Sequence, residues 1–146
     1  MARTAADVMG ARGDDVATAR PGETLGEVVQ RLTARGIGAV VVVGEDDKVL
    51  GVLSERDVVR RLAAAGPPAL DLAAHAVMTR EVVTCDPGTD VDELMRTMTE
   101  GRFRHVPVVD DGRLVGIVSV GDVVKARLEE LAGERDQLRG YVAGGY

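Results

Sequence analysis

At two places in this chain a hydroxyl and a carboxylate stand three residues apart, between a strand-like apolar run and a helix-like one. The first is Gly51-Val52-Leu53-Ser54-Glu55-Arg56-Asp57, and the second is Gly116-Ile117-Val118-Ser119-Val120-Gly121-Asp122. Ser-x-x-Asp is the reciprocal capping pattern, with the hydroxyl accepting from the third helical amide and the acid reaching back. A helix start with free amides is also a natural anion site, and a carboxylate there can accept from both hydroxyls of a ribose. Helix caps alone, or caps that are also half of a ligand site: the residues allow both. Basic residues differ between the two places. Arg56 lies inside the first, where it can reach a phosphate or pair with a carboxylate such as Glu55. Arg104-His105 precede the run Val106 to Val109, whose counterpart in the first half starts from the uncharged Gly38-Ala39. Catalysis has less support. Cys85 with His75 or His105 has the groups for a nucleophile and its base, but no spacing demands the pair, and a core or strand-edge cysteine accounts for it better. The histidines and the single cysteine show no zinc-ligand spacing.

The elements that must position these residues repeat as well. Pro21-Gly22 matches Pro87-Gly88, Glu27 matches Glu93, Val43 matches Val109, and Val8-Met9 matches Val77-Met78. The first copy spans roughly Asp7 to Ala65 and the second Ala76 to Leu131, with 66–75 as linker and 132–146 as a helical tail. In the first copy the lead-in Gly10 to Asp15 is the longer version of Thr79 to Glu81. Each copy opens with a short extended piece, Val16 to Ala19 or Val82 to Cys85, that stops at a proline. A helix follows, with capping boxes expected at Thr24…Glu27 and Asp90…Glu93. Its apolar stripe is Leu25, Val28, Val29 and Leu32, or Val91, Leu94, Met95 and Met98, the spacing of one helix face. Gly36 and Gly101 are expected to end these helices.

The valine-rich runs Ala39 to Val43 and Val106 to Val109 read as buried strands. Tight hairpins return them as Val49 to Leu53 and Leu114 to Val118. A second helix then starts at Ser54 or Ser119, with Val58, Val59 and Leu62, or Val123, Val124 and Leu128, expected inward. Each unit is thus β-α-β-β-α, an α/β (α+β) tandem repeat. Units this small are marginal alone, and packing two about a pseudo-twofold covers both open sheet faces and leaves two clefts. Gly66-Pro67-Pro68 must break the helix before it. After the second copy, Val124, Leu128, Leu131, Leu138 and Val142 keep a 3/4 spacing interrupted by Arg135. The last helix is expected to continue past Gly133 or restart there, and Gly144-Gly145-Tyr146 to fray.

Composition narrows the partners. The chain has 146 residues, 45% of them hydrophobic, enough for one compact domain. With 18 basic against 24 acidic residues the net charge is −6, which argues against nucleic acid or an anionic membrane surface. Phe103, Tyr141 and Tyr146 are the only rings, so no stacking platform for single strands exists. No apolar run reaches the ~18 residues of a membrane span, and Met1-Ala2-Arg3-Thr4 leads in without an apolar signal core. One cysteine cannot form an internal disulfide, as expected of a reducing cytoplasm. A cytoplasmic location follows as the expectation.

The paired units, the Val-Met lead-ins, the run from Arg104 to Asp122 and the two Gly-h-x-Ser-x-x-Asp junctions (h, hydrophobic) together resemble a CBS-domain pair, the Bateman module. The likeness covers nearly the whole chain and is specific because the junction occurs twice in one context. It implies a non-enzymatic regulatory protein, of the stand-alone bacterial type, that binds adenosyl ligands (AMP, ADP, ATP, sometimes adenosylmethionine or NAD(H)) between the repeats and signals to an unidentified regulated protein. It also implies a homodimer of flat discs. By the same resemblance Asp57 and Asp122 hold ribose, and Ser54 and Ser119 lie near ribose or phosphate. Arg104 and His105 contact phosphates. Backbone at Thr18, Thr84 and Cys85 meets the adenine edge, and Ile37, Val106 and Pro107 pack on its faces. The surroundings of the two junctions differ, so unequal clefts are expected. The rival is a dimerisation and interaction scaffold whose clefts stay empty.

Overall fold

The structure, a computed structural model, describes residues 3–143. Two three-stranded sheets face each other. In the first, β2 (Thr18–Ala19) runs parallel to β3 (Ala39–Val43), which pairs antiparallel with β4 (Val49–Ser54). In the second, β1 (Ala11–Arg12) pairs antiparallel with β6 (Arg113–Ser119), which pairs antiparallel with β5 (His105–Asp110). The helices are α1 (Ala5–Val8), α2 (Leu25–Arg35), α3 (Glu55–Ala65), α4 (Ala74–Val77), α5 (Val91–Gly101) and α6 (Val120–Ala143).

All five residues of β3 are buried, and alternation explains how. Val40 and Val42 face a core built with Leu25, Val28 and Leu32 of α2 and Val58 of α3. Val41 and Val43 face the other way, into a cluster that reaches Leu114 and Ile117 of the second sheet. The third core sets Val106, Val108 and Val118 against Val91, Leu94 and Met98 of α5 and Val123 of α6. Each sheet is covered by helices on one face and by the other repeat on the second.

The lead-ins are exchanged between the copies. Ala5, Val8 and Met9, around α1, pack into the second copy's core, and β1 completes the second sheet. Ala74, Val77 and Met78, around α4, pack into the first copy's core, and Thr79 bridges Val52 of β4. This crossing explains the glycine that heads each junction. A Cβ on Gly51 would lie 2.6 Å from the Thr79 carbonyl and 2.8 Å from the Met78 sulfur, and one on Gly116 would collide with the Met9 sulfur. Gly10 to Asp15, expected only as a longer lead-in, therefore supplies a strand and a 3-10 turn (Gly13–Asp15).

Several expectations change. Val82 to Cys85 forms no strand and keeps one parallel bridge, Cys85 to Val108. In the first copy the Val41 N–H donates to the Ala17 carbonyl at 3.1 Å. Pro107 holds the matching place in β5 and has no N–H to give, so the ladder stops. The expected box at Asp90…Glu93 is a simpler cap, Asp90 accepting from the Asp92 N–H at 2.8 Å. Gly101 remains helical, and Arg102 takes the left-handed cap at φ 57°. Val59, Val124 and Leu128 point outward, at 64, 50 and 61% exposure. The small Ala126, three residues after Val123, brings α6 onto the core along a different line. Finally, α6 is continuous through Gly133, where a helix-interior glycine costs only about 1 kcal/mol. The side chain of Val142 and the stretch Gly144-Gly145-Tyr146 lie outside what is described.

Candidate functional site

The first junction forms where β4 hands over to α3. The Asp57 N–H donates to Ser54 Oγ at 3.3 Å, and the Ser54 N–H donates to Asp57 Oδ2 at 2.9 Å, a complete capping box. Asp57 Oδ2 also accepts from the Ser54 hydroxyl at 3.0 Å, while Oδ1 accepts from the Thr79 hydroxyl at 3.1 Å. At the second junction the Asp122 N–H donates to Ser119 Oγ at 3.1 Å and the Ser119 N–H donates to Asp122 Oδ2 at 2.8 Å. The Gly10 N–H adds a second bond to that Oδ2 at 3.2 Å, and a Cβ on Gly10 would lie 2.5 Å from Oδ1. Each carboxylate thus caps its own helix and ties down the exchanged lead-in of the other copy. A carboxylate offers about four lone-pair positions, so neither is exhausted by these bonds.

Small-molecule sites are usually cavities of about 300–1,000 Å³, and the one at the first junction measures ≈ 680 Å³. Ser54, Arg56 and Asp57 reach it from the start of α3, and Arg104 and His105 reach it from the start of β5. Gly38, Val52 and Val82 supply its less polar wall. Residues from both copies therefore converge at one place. The cavity also collects Arg60 and Arg102, which were not among the expected residues. Arg60 was legible as the residue one helical turn beyond Arg56. Arg102 and Thr79 had no local signal, because they arrive through the cap of α5 and the exchanged lead-in. Among the described residues, Arg56, Arg60, Arg102 and Arg104 take part in none of the ion pairs. Four guanidinium groups outnumber the carboxylates of Glu55 and Asp57 around this cleft and make a local positive field in a chain of net charge −6.

His105 lies between the junctions. Burial, and then the Arg104 charge, push its pKa below the ordinary 6.5, against the opposing pull of Asp122 and Glu55. It is therefore neutral at pH 7. Cys85 is half-buried, and burial, reinforced by Asp86 and Glu93, pushes its thiol up to about 11. A thiol so protonated is a poor nucleophile.

The remaining expected residues are dispersed. Thr84, Cys85 and Val106 line a second cavity of ≈ 440 Å³ against α5. The Cys85 N–H and carbonyl are already bonded to the Pro107 carbonyl and the Val109 N–H at 3.0 and 2.8 Å. Val106 and Pro107 are fully buried in β5. Ile37 lines a groove with Val58 and Val59 between α2 and α3. Thr18 sits in β2, where its carbonyl accepts from Arg31 at 2.8 Å. Ser119 and Asp122 stand at the second junction, outside the large cavity.

Comparison with known proteins gives a consistent picture. A family model described as "CBS domain" matches residues 5–64 and 73–129. The crystal structure of a CBS-domain-containing protein from Agrobacterium tumefaciens is 50% identical, covering 79% of this chain and 91% of its own, with a TM-score of 0.74. A CBS domain pair crystallised with 5′-methylthioadenosine and S-adenosyl-L-methionine is 25% identical, covering 89% and 99%, with a TM-score of 0.79. A mitochondrial CBS domain-containing protein from Arabidopsis thaliana is 37% identical over 128 residues, 85% of this chain. The chain spans 62% of that relative's length.

Proposed function

Because the chain belongs to the CBS-domain family, as a tandem pair of repeats, we propose that it is a non-enzymatic regulatory module that binds an adenosine nucleotide between those repeats. One observation carries the reading: Ser54 and Asp57 of the first copy and Arg104 and His105 of the second line a single cavity with Arg56, Arg60 and Arg102. Asp57 accepts the ribose hydroxyls, and the helix start at Ser54 with the arginines takes the phosphates. Four guanidiniums exceed the need of one phosphate and favour ATP or ADP over AMP, with NAD(H) as a further candidate. A related pair is known with adenosine-derived ligands, which supports the adenosyl part. The second junction is the weaker site, since neither Ser119 nor Asp122 lines the cavity that collects the arginines.

Binding draws Arg102, Arg104 and His105 toward α3, and this closure is what a regulated protein in the cytoplasm reads. It shifts that partner only by the difference in nucleotide affinity between the open and closed states. Exposed Val59 on α3 and Val124 and Leu128 on α6 support a homodimer built on these helices. The complete capping box at Ser54 favours a second reading, a ligand-free scaffold in which Asp57 only caps and ties.

Thermal melts with AMP, ATP, NADH and adenosylmethionine separate the two. A ligand at 100 times its Kd stabilises by about 2.7 kcal/mol, a rise in Tm of several degrees. Flat melts with all four at millimolar concentration leave the scaffold.

A further inference from the structure

The two copies differ at one place in a way that opens a cavity. In the first copy, Arg31 of α2 lies across the gap between α2 and β2. Its guanidinium donates to the Thr18 carbonyl at 2.8 Å and to the two carboxylate oxygens of Glu23 at 2.8 and 2.9 Å. The repeat alignment that pairs Pro21 with Pro87 puts Thr97, Thr84 and Thr89 at the places of Arg31, Thr18 and Glu23. These three threonines line the ≈ 440 Å³ cavity between residues 83–86 and α5.

The rest of that cavity matches what a guanidinium requires. Glu27, beside Arg31, is held by the Thr24 N–H at 3.1 Å as part of a capping box. Its counterpart Glu93 is released from that duty, because Asp90 caps α5 through Asp92 instead, and it lines the cavity with Asp86. With Thr97 in place of Arg31, the Thr84 carbonyl, unlike that of Thr18, receives no backbone or side-chain donor among the described residues. Leu94, Val106 and Val109 give an apolar wall for a stem. Carbonyl, hydroxyl and carboxylate acceptors over an apolar wall suit a planar cation with several N–H donors.

We propose that this cavity binds a guanidinium group on an aliphatic stem, in the place that the Arg31 side chain fills in the first copy. The site is separate from the nucleotide cavity and does not depend on that reading. The group comes from a free small molecule or from an arginine side chain of another protein, and both present the same chemistry.

Amide NMR titrations of the whole chain test this with three probes: agmatine, a capped Ala-Arg-Ala peptide, and butylurea as the neutral control. Saturable shifts at the amides of Thr84 and Thr97 are expected with agmatine or the peptide and not with butylurea. Tighter agmatine binding marks the free cation as the occupant, and tighter peptide binding marks an arginine side chain. Glu93→Gln, at an exposed position that leaves the fold intact, is expected to weaken binding about tenfold or more. The double change Thr89→Glu with Thr97→Arg transplants the first copy's pair and is expected to abolish binding without lowering Tm. Absence of saturation at millimolar agmatine and peptide overturns the proposal. So do equal binding of butylurea, unchanged affinity in Glu93→Gln, or undiminished binding by the refilled double variant.

Discussion

Asp57 and Asp122 do two jobs with one carboxylate each, so replacing either has a structural cost that is separable from ligand loss. Asp57→Ala removes a cap and the bond from Thr79 and is expected to destabilise the chain by about 1–2 kcal/mol in urea unfolding. Thr79→Val leaves the cap and is expected to cost about 0.5–1.5 kcal/mol. His105 sets a pH dependence. Its folded-state pKa lies below the free value of 6.5, so the unfolded chain takes up the proton first as pH falls. Its contribution is intact above about pH 6.5 and is lost as pH falls through the folded-state value. Tm measured from pH 7.5 to 5 should therefore fall less steeply in His105→Gln than in the parent. At this scale the sequence was informative where chemistry and local spacing coincide. Both junctions, Arg56, Arg104 and His105 could be read directly, and Arg60 follows from Arg56 by one turn. Thr79 and Arg102 could not be, because what places them is contact across the repeats.

The order of strands and helices was readable from periodicity, whereas the exchange of the lead-ins was not. Strand β1 is two residues long, too short to show any alternation, and its partner β6 lies near the other end of the chain. Its trace in the sequence is indirect, in Gly51 and Gly116, which have room for no side chain beneath the crossing segments. The lost strand at 82–84 was readable in principle, since Pro107 cannot donate where Val41 does. Pro107→Val restores that donor. Hydrogen exchange at residue 107 is expected to be strongly protected, with added protection of the neighbouring 83–85 segment. An amide at 107 that exchanges freely would show that something other than the missing donor keeps this segment out of the sheet.

For the whole molecule, the acidic composition and the four arginines of one cavity are two sides of one design. The net charge of −6 disfavours polyanionic surfaces as general partners, while the proposed phosphate-bearing ligand would meet a local field of the opposite sign. The outward valines and leucines of α3 and α6 carry the proposed dimer. Val124→Glu with Leu128→Glu is expected to leave Tm nearly unchanged, since both residues are at least half exposed, and to convert a dimer to a monomer in sedimentation velocity. A parent chain that sediments as a monomer would remove that part. The inter-repeat cavity is tested most directly by calorimetric titration of ATP and of adenosine into the parent and into Arg104→Ala. ATP is expected to bind the parent more tightly than adenosine does, and Arg104→Ala to lose about tenfold or more in ATP affinity with adenosine unchanged. No binding of ATP at millimolar concentration, or equal loss for both ligands in the variant, would contradict a phosphate site between the repeats.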